Sequence, residues 1–268
     1  MRGPMCNSHP SPIARNMRGT VLSELEPFFN SAEECATYER FCAEQDRSGG
    51  RFELAEPVLV CRWRMARRAV PMLNRHIRAL SQRVVNGAPL TTNMLSWAKQ
   101  HVEWSLAAGD YQDPNGVLMT VIDVNGDALM SVGPYEPLAD RSRGALVARA
   151  KEARREQAQT GVAPELLAVV TPEGGVLVFA APEEHLCGAA TLVEQLAATQ
   201  GREVVRALGG DAQLADALAA VEEAGVVFLI SDEHGVVVED EQASPAPVSE
   251  KALATARAFA DGLAKLFK

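Results

Sequence analysis

Apolar and polar positions alternate along this chain with two periods, one near two residues and one near three and a half. Val58, Leu59, Val60, Cys61 and Trp63 form a short apolar run with β-branched and aromatic members, which predicts a strand over Pro57–Arg64. Beyond Pro71, Leu73, Ile77, Leu80 and Val84 recur at spacings of four, three and four, the stripe of a helix that faces a core. A second helix is predicted over 91–108, with Thr92 or Asn93 as its cap, Gly109 as its end, and Trp97, His101 and Trp104 on one face. Two apolar runs, Val117–Val124 and Ala128–Val132, then flank Asn125-Gly126. That dipeptide favours a two-residue hairpin turn.

The alternation continues to the C-terminus. A helix is predicted from Arg143 to Gln159, ending before Gly161. Leu166–Val170 and Val176–Ala180 read as paired strands around Pro172-Glu173-Gly174-Gly175. Helices at 189–199 and 212–224 enclose a short strand at 203–207. Val226–Ser231 and Val236–Glu239 form a further strand pair around Asp232-Glu233-His234-Gly235. The last helix shows Leu253, Ala256, Ala260, Leu263 and Phe267 on one face. Ahead of all this, residues 20–48 suggest one or two helices, with Ser31 as an N-cap. Interleaved helices and hairpins predict a mixed α+β fold with much antiparallel pairing rather than a doubly wound sheet. The expected organisation is a flexible extension over 1–19, an α+β domain over 20–137 and a second over 138–268, divided at the connector that holds Pro134 and Pro137.

Composition narrows the partners. The chain has 268 residues, 47% hydrophobic and 23% charged, which is ordinary for a globular protein. With 26 basic and 35 acidic side chains the formal net charge is −9, which argues against nucleic acid as a general partner. No apolar run approaches the roughly 18–20 residues of a membrane span, so no membrane partner is expected. Prolines interrupt the first twenty residues, so these read as an extension and not as a secretory signal. Cys6, Cys35, Cys42, Cys61 and Cys187 match neither a zinc spacing nor a disulfide framework, and the expected setting is a reducing cytoplasm.

Against that acidic background, one stretch is basic. Arg62, Arg64, Arg67, Arg68, Arg75, Arg78 and Arg83 lie between Pro57 and Val85, together with His76 on the apolar side of a helix. Arg62 and Arg64 alternate with Cys61 and Trp63, so both point to one face of a strand, where two guanidinium forks can hold a carboxylate or phosphate. Such a residue as His76 is commonly a hydrogen-bonded core group, but the neighbouring arginines give it an anion-binding reading. Gly188-Ala189-Ala190-Thr191 opens a helix with small residues whose N–H groups can approach an anion. The candidate ligand-binding residues are therefore Arg62, Arg64, His76, Arg78 and Thr191. Glu183-Glu184-His185-Leu186-Cys187 gathers metal-capable side chains, but it lacks HExxH spacing and a second cluster, so no metal is expected.

The order of these pieces resembles the class IV aminotransferases, the pyridoxal-phosphate proteins of fold type IV. Val58–Arg64, His76 with Leu80, and Val117–Val132 follow the order of that family's first domain. Ala148–Arg155, the stretch Pro164–Gly174 and Val226–Ile230 follow the order of its second. The likeness runs loosely over 57–268. It implies a two-domain fold-type IV architecture, a pyridoxal-phosphate cofactor and an aminotransferase or lyase activity. Three family positions differ here. The phosphate-binding arginine would fall at Ala79, with Arg78 beside it but turned about 100° around the helix. The Schiff-base lysine should precede the helix at 143, yet Leu138–Ser142 holds none; the lysines are Lys99, Lys151, Lys251, Lys265 and Lys268. The family's EGxxSN stretch is absent where Val178–Glu183 stands. Without that lysine no internal aldimine forms. The reading is a class IV-like protein that binds a small anionic metabolite or a protein partner and does not transaminate, with its cofactor unknown and a homodimer open. One alternative is an active enzyme with displaced groups, Lys151 or Lys99 among them. Another is an unrelated α+β interaction protein.

Overall fold

The computed structural model describes residues 55–109, 113–207, 225–240 and 248–268. The helices expected over 20–48 and 212–224, the 1–19 extension, and Cys6, Cys35 and Cys42 lie outside them. The described residues belong to one unit, Glu53–Lys268, and form two larger sheets and a small hairpin. The chain runs β1 (Pro57–Arg64), α1 (Leu73–Leu80), β2 (Val84–Val85), β3 (Ala88–Pro89), α2 (Thr92–Ala108), β4 (Val117–Asp123) and β5 (Ala128–Gly133). It continues through α3 (Arg143–Thr160), β6 (Glu165–Val170), β7 (Val176–Phe179), α4 (Gly188–Thr199), β8 (Val204–Ala207), β9 (Val226–Ser231), β10 (Gly235–Val238) and α5 (Glu250–Ala264), with a 3₁₀ turn at Lys265–Phe267.

The first sheet has the order β1-β4-β5, and both pairings are antiparallel. Its alternation is that of a sheet covered on one face. Leu59, Cys61 and Trp63 pair with Ile122, Thr120 and Leu118, and this face packs with Leu80, Ala98, Val102 and Leu106 of α1 and α2. The second sheet has the order β10-β9-β6-β7-β8 and is antiparallel except for the β7–β8 pair. Every residue of β6 and β9 is buried, as expected of strands covered on both faces. Phe228, Val193, Ala256 and Phe259 lie in the core with α4 and α5, while Leu229, Phe179, Leu146 and Ala150 lie in the core with α3. The fold is α+β, as the interleaved pattern predicts. Pro134–Ser142, where the sequence suggests a boundary, runs between the two sheets.

Three local expectations change. The helix α1 ends at Leu80 instead of carrying its stripe to Val84. Val84-Val85 pairs with Ala88-Pro89 around Asn86-Gly87, both at positive φ (51° and 76°). Asn-Gly is a strong signal for such a turn, and a stripe of apolar residues masks it here. At α2 the capping side chain is Thr91, whose Oγ1 accepts from Met94 N at 3.2 Å. The β4–β5 connection is a three-residue loop, closed by Asp123 N donating to Asp127 O at 2.9 Å, and not a two-residue turn. The Asp123 carboxylate accepts from Asn125 N and Asp127 N at 2.8 and 3.0 Å, and Gly126 alone in the loop takes positive φ (84°).

The central packing of the second sheet sets a stability prediction. Phe228 is fully buried and lies 6.1 Å from the Phe259 ring, so Phe228→Ala is expected to cost about 3–5 kcal/mol in denaturant unfolding. Val205→Thr, at an exposed position of the edge strand β8, should change stability by less than about 0.5 kcal/mol.

Candidate functional site

The helix α4 begins without a side-chain cap of its own, because its N-cap residue is Cys187. Good N-caps supply an oxygen that accepts from the first free N–H groups, and a thiol does this poorly. The acceptor comes instead from the β9–β10 turn. Asp232 Oδ1 accepts from Ala189 N at 2.7 Å, and Oδ2 lies 3.4 Å from Gly188 N. The same Oδ2 lies 3.2 Å from Nδ1 of His76 on α1. His76 reaches this position because residue 188 is glycine: a Cβ there would sit 2.6 Å from His76 Nδ1. Trp63 of β1 stacks on the imidazole, with ring centroids 5.3 Å apart and planes at 14°. Strand β1 is tied to the same turn, since Arg64 N donates to Asp232 O at 3.1 Å.

Electrostatics favour the charged carboxylate. Burial by itself would raise the Asp232 carboxyl; the His76 imidazole, the Ala189 N–H and Arg83 outweigh that and hold it below its ordinary value. Arg83 is itself buried, with Nη1 2.9 Å from Glu156 Oε1 and 3.3 Å from Thr160 Oγ1. Burial pushes the Cys61 thiol up to about 11 and the Cys187 thiol well above its ordinary value, so neither is a thiolate nucleophile at neutral pH. His76, Arg62, Arg83, Cys61 and Asp232 line one small cavity of about 20 Å³, room for a single water.

The five expected ligand-binding residues do not converge as a set. His76 and Arg62 share the cavity, but Arg62 is 57% exposed and lies 3.6 Å from Glu233. Arg64 turns to the Tyr135 ring, with its guanidinium carbon 3.0 Å from the centroid, so the two forks do not clamp one anion. Arg78 is exposed in the last turn of α1. Thr191 Oγ1 accepts from Arg75 Nη1 at 2.9 Å and donates to Gly188 O at 2.8 Å. Asp232 is the residue that sequence reasoning missed. It reads there as a turn residue, and its signal is indirect: a helix start with no Ser, Thr, Asp or Asn at the N-cap. Of the acidic stretch 183–187, Glu184 is taken up by Arg154 and by Ala181 N, and Cys187 is buried at the helix start. Among the described residues no cluster of His, Cys, Asp and Glu is arranged to hold a metal.

The backbone path of this arrangement matches solved structures. A hypothetical aminotransferase from Mycobacterium tuberculosis in its PLP-bound form is similar over 81% of this chain and 95% of that one, at 11% identity and a TM-score of 0.50. Its apo form gives the same coverage and identity at 0.49. A putative amino-acid aminotransferase from Mesorhizobium loti is similar over 68% of this chain and 97% of that one, at 16% identity and 0.37. The fold is aminotransferase-like. No protein-family model matches the chain, and no curated protein sequence matches it. Among the described residues no helix is long and apolar enough to cross a membrane.

Pyridoxal phosphate asks two things of such a scaffold: a lysine amine for its aldehyde and a cradle for its phosphate. No lysine lines the cavity around His76. Lys251 is exposed, with Nζ donating to Glu173 O at 2.7 Å, and Lys151 is half-buried along α3. Arg143, just beyond the segment expected to hold the lysine, grips Glu239 with two bonds of 2.7 and 2.9 Å. The free N–H groups of α4 meet a carboxylate of the chain itself. The residues around this cavity do not fit the cofactor.

Asp232 makes acid stability a direct readout. Its carboxyl is depressed in the folded state, so its contribution is present above the ordinary value near 3.8 and lost as pH falls through the folded value. Asp232→Asn is therefore expected to cost about 1–3 kcal/mol at neutral pH and to flatten the loss of stability as pH falls below about 5. Denaturant titrations of both proteins across that range measure it.

Proposed function

We propose that this chain is a class IV-like protein of fold type IV that does not transaminate and acts instead as a binding protein for an anionic group. One observation carries the reading: the cavity where the two sheets approach each other has no lysine, and its histidine faces an internal carboxylate. An aminotransferase needs an amine there to hold its cofactor covalently. The small cavity has no room for a metabolite, so a small anionic metabolite meets the chain at exposed arginines such as Arg62 and Arg78. The family likeness supports the scaffold, and the chemistry of the site supports the loss of the reaction.

Spectra taken with and without pyridoxal phosphate, followed by borohydride reduction and peptide mapping, test the loss. No saturable adduct at a single lysine is expected. A stoichiometric reduced adduct at one lysine, Lys151 or Lys99 included, would overturn the reading and make the chain an enzyme with a displaced amine.

A second copy of the chain is a further partner that one observation favours. On the outer face of the first sheet, Val60, Val121 and Leu129 stand side by side in register across all three strands, and Leu129 is 47% exposed. An apolar row of this kind gains from being covered. In sedimentation the chain is expected to run at twice its 28.8 kDa monomer mass, and Leu129→Lys to shift it toward the monomer. A wild-type chain that stays monomeric at micromolar concentration would remove the homodimer.

A further inference from the structure

The start of α4 has the makings of an anion site. Two N–H groups at the positive end of a twelve-residue helix point at one position, and no side chain of the preceding turn caps them. A third polar group approaches the same position independently. The His76 side chain is 1% exposed, Nε2 has no hydrogen-bond partner, and Nδ1 is aimed at that point, 3.2 Å from Asp232 Oδ2. A buried imidazole is costly unless a neighbouring charge compensates it, and here that charge is the Asp232 carboxylate. The group at the focus of all three is the carboxylate of Asp232, which reaches in from a turn more than forty residues further along the chain.

We infer that the N-terminus of α4 is a small-oxyanion site occupied in cis by the Asp232 carboxylate, with Gly188 N, Ala189 N and the His76 imidazole around it, so that the native chain keeps carboxylate and phosphate ligands out. Asp232 here stands for a bound anion: it has the charge, the planar pair of oxygens and the donor contacts of one. Glycine at 188 serves the site twice, by leaving the amide accessible and by leaving room for the imidazole. Arg83 lines the same cavity and adds positive potential there, with its guanidinium held by Glu156 and Thr160. The inference goes beyond the lost transamination and does not depend on the lysines.

Excising the internal ligand tests it. Asp232→Ala removes a group the size of formate and joins its volume to the adjacent cavity. Formate, with inorganic phosphate as the larger probe, is added against chloride at equal ionic strength, and thermal unfolding is followed. Formate at roughly ten times its dissociation constant should raise the midpoint of Asp232→Ala by about 3 °C. The wild type, and Asp232→Asn, which fills the same volume without charge, should not move. An Asp232→Ala protein that folds and responds to neither anion overturns the inference, and so does a wild type that responds equally. A second measurement needs no variant. In the native chain, the Gly188 and Ala189 amide proton shifts should follow the acid titration of Asp232 and ignore added formate and phosphate. Amides that ignore that titration, or that shift saturably with either anion, would also overturn it. The lysine adduct and the anion response are separate readouts, so failure of one leaves the other standing.

Discussion

One buried carboxylate ties the two sheets of this protein together. Asp232 takes the free N–H groups of α4 and faces the imidazole carried by α1, while its main-chain oxygen accepts from the end of β1. Four elements from both halves thus meet at one residue of a tight turn. Burying a charge is unfavourable unless donors surround it. Here a helix N-terminus, a histidine and a nearby arginine supply that compensation together, and removing any one of them leaves the others buried with less support.

The same constraint shapes the chemistry. A helix N-terminus is a ready-made place for phosphate, and this fold brings that of α4 against the β9–β10 turn and the end of β1. In this chain that place holds a side chain, the adjoining space takes about one water, and no lysine lines it. The two buried thiols nearby are pushed toward the protonated form, so they offer no thiolate nucleophile at neutral pH. What remains is a set of arginines that the structure disperses. Arg83 serves the interior, Arg64 stacks on Tyr135, Arg75 braces α1 against α4 through Thr191, and Arg62 and Arg78 reach the surface. Five of the seven arginines crowded in sequence therefore act in several unrelated ways.

A fold likeness without a sequence match is consistent with this division of labour. The path of the backbone depends on where apolar residues recur, and many sequences satisfy that requirement. Chemistry depends on single side chains at fixed points, and one substitution there removes it. The likeness to the Mycobacterium tuberculosis aminotransferase, at 11% identity, concerns the first and leaves the second to the residues of this chain.

The sequence alone determined most of the local structure, because periodicity is a property of neighbours. The apolar run at Val58–Trp63, the hairpin around Asn125-Gly126 and the last helix from Glu250 are legible in consecutive residues. So is the absence of a lysine from Leu138–Ser142, just ahead of α3. Where two local signals compete, the pattern misleads: Val84 continues the helical stripe, yet Asn86-Gly87 pulls it into a hairpin. The site was decided only by tertiary structure. His76 lies far along the chain from Asp232, and neither residue's spacing betrays the other. Their meeting depends on the packing of α1 against α4 and on the single missing Cβ of Gly188, a contact that exists only once both sheets are folded.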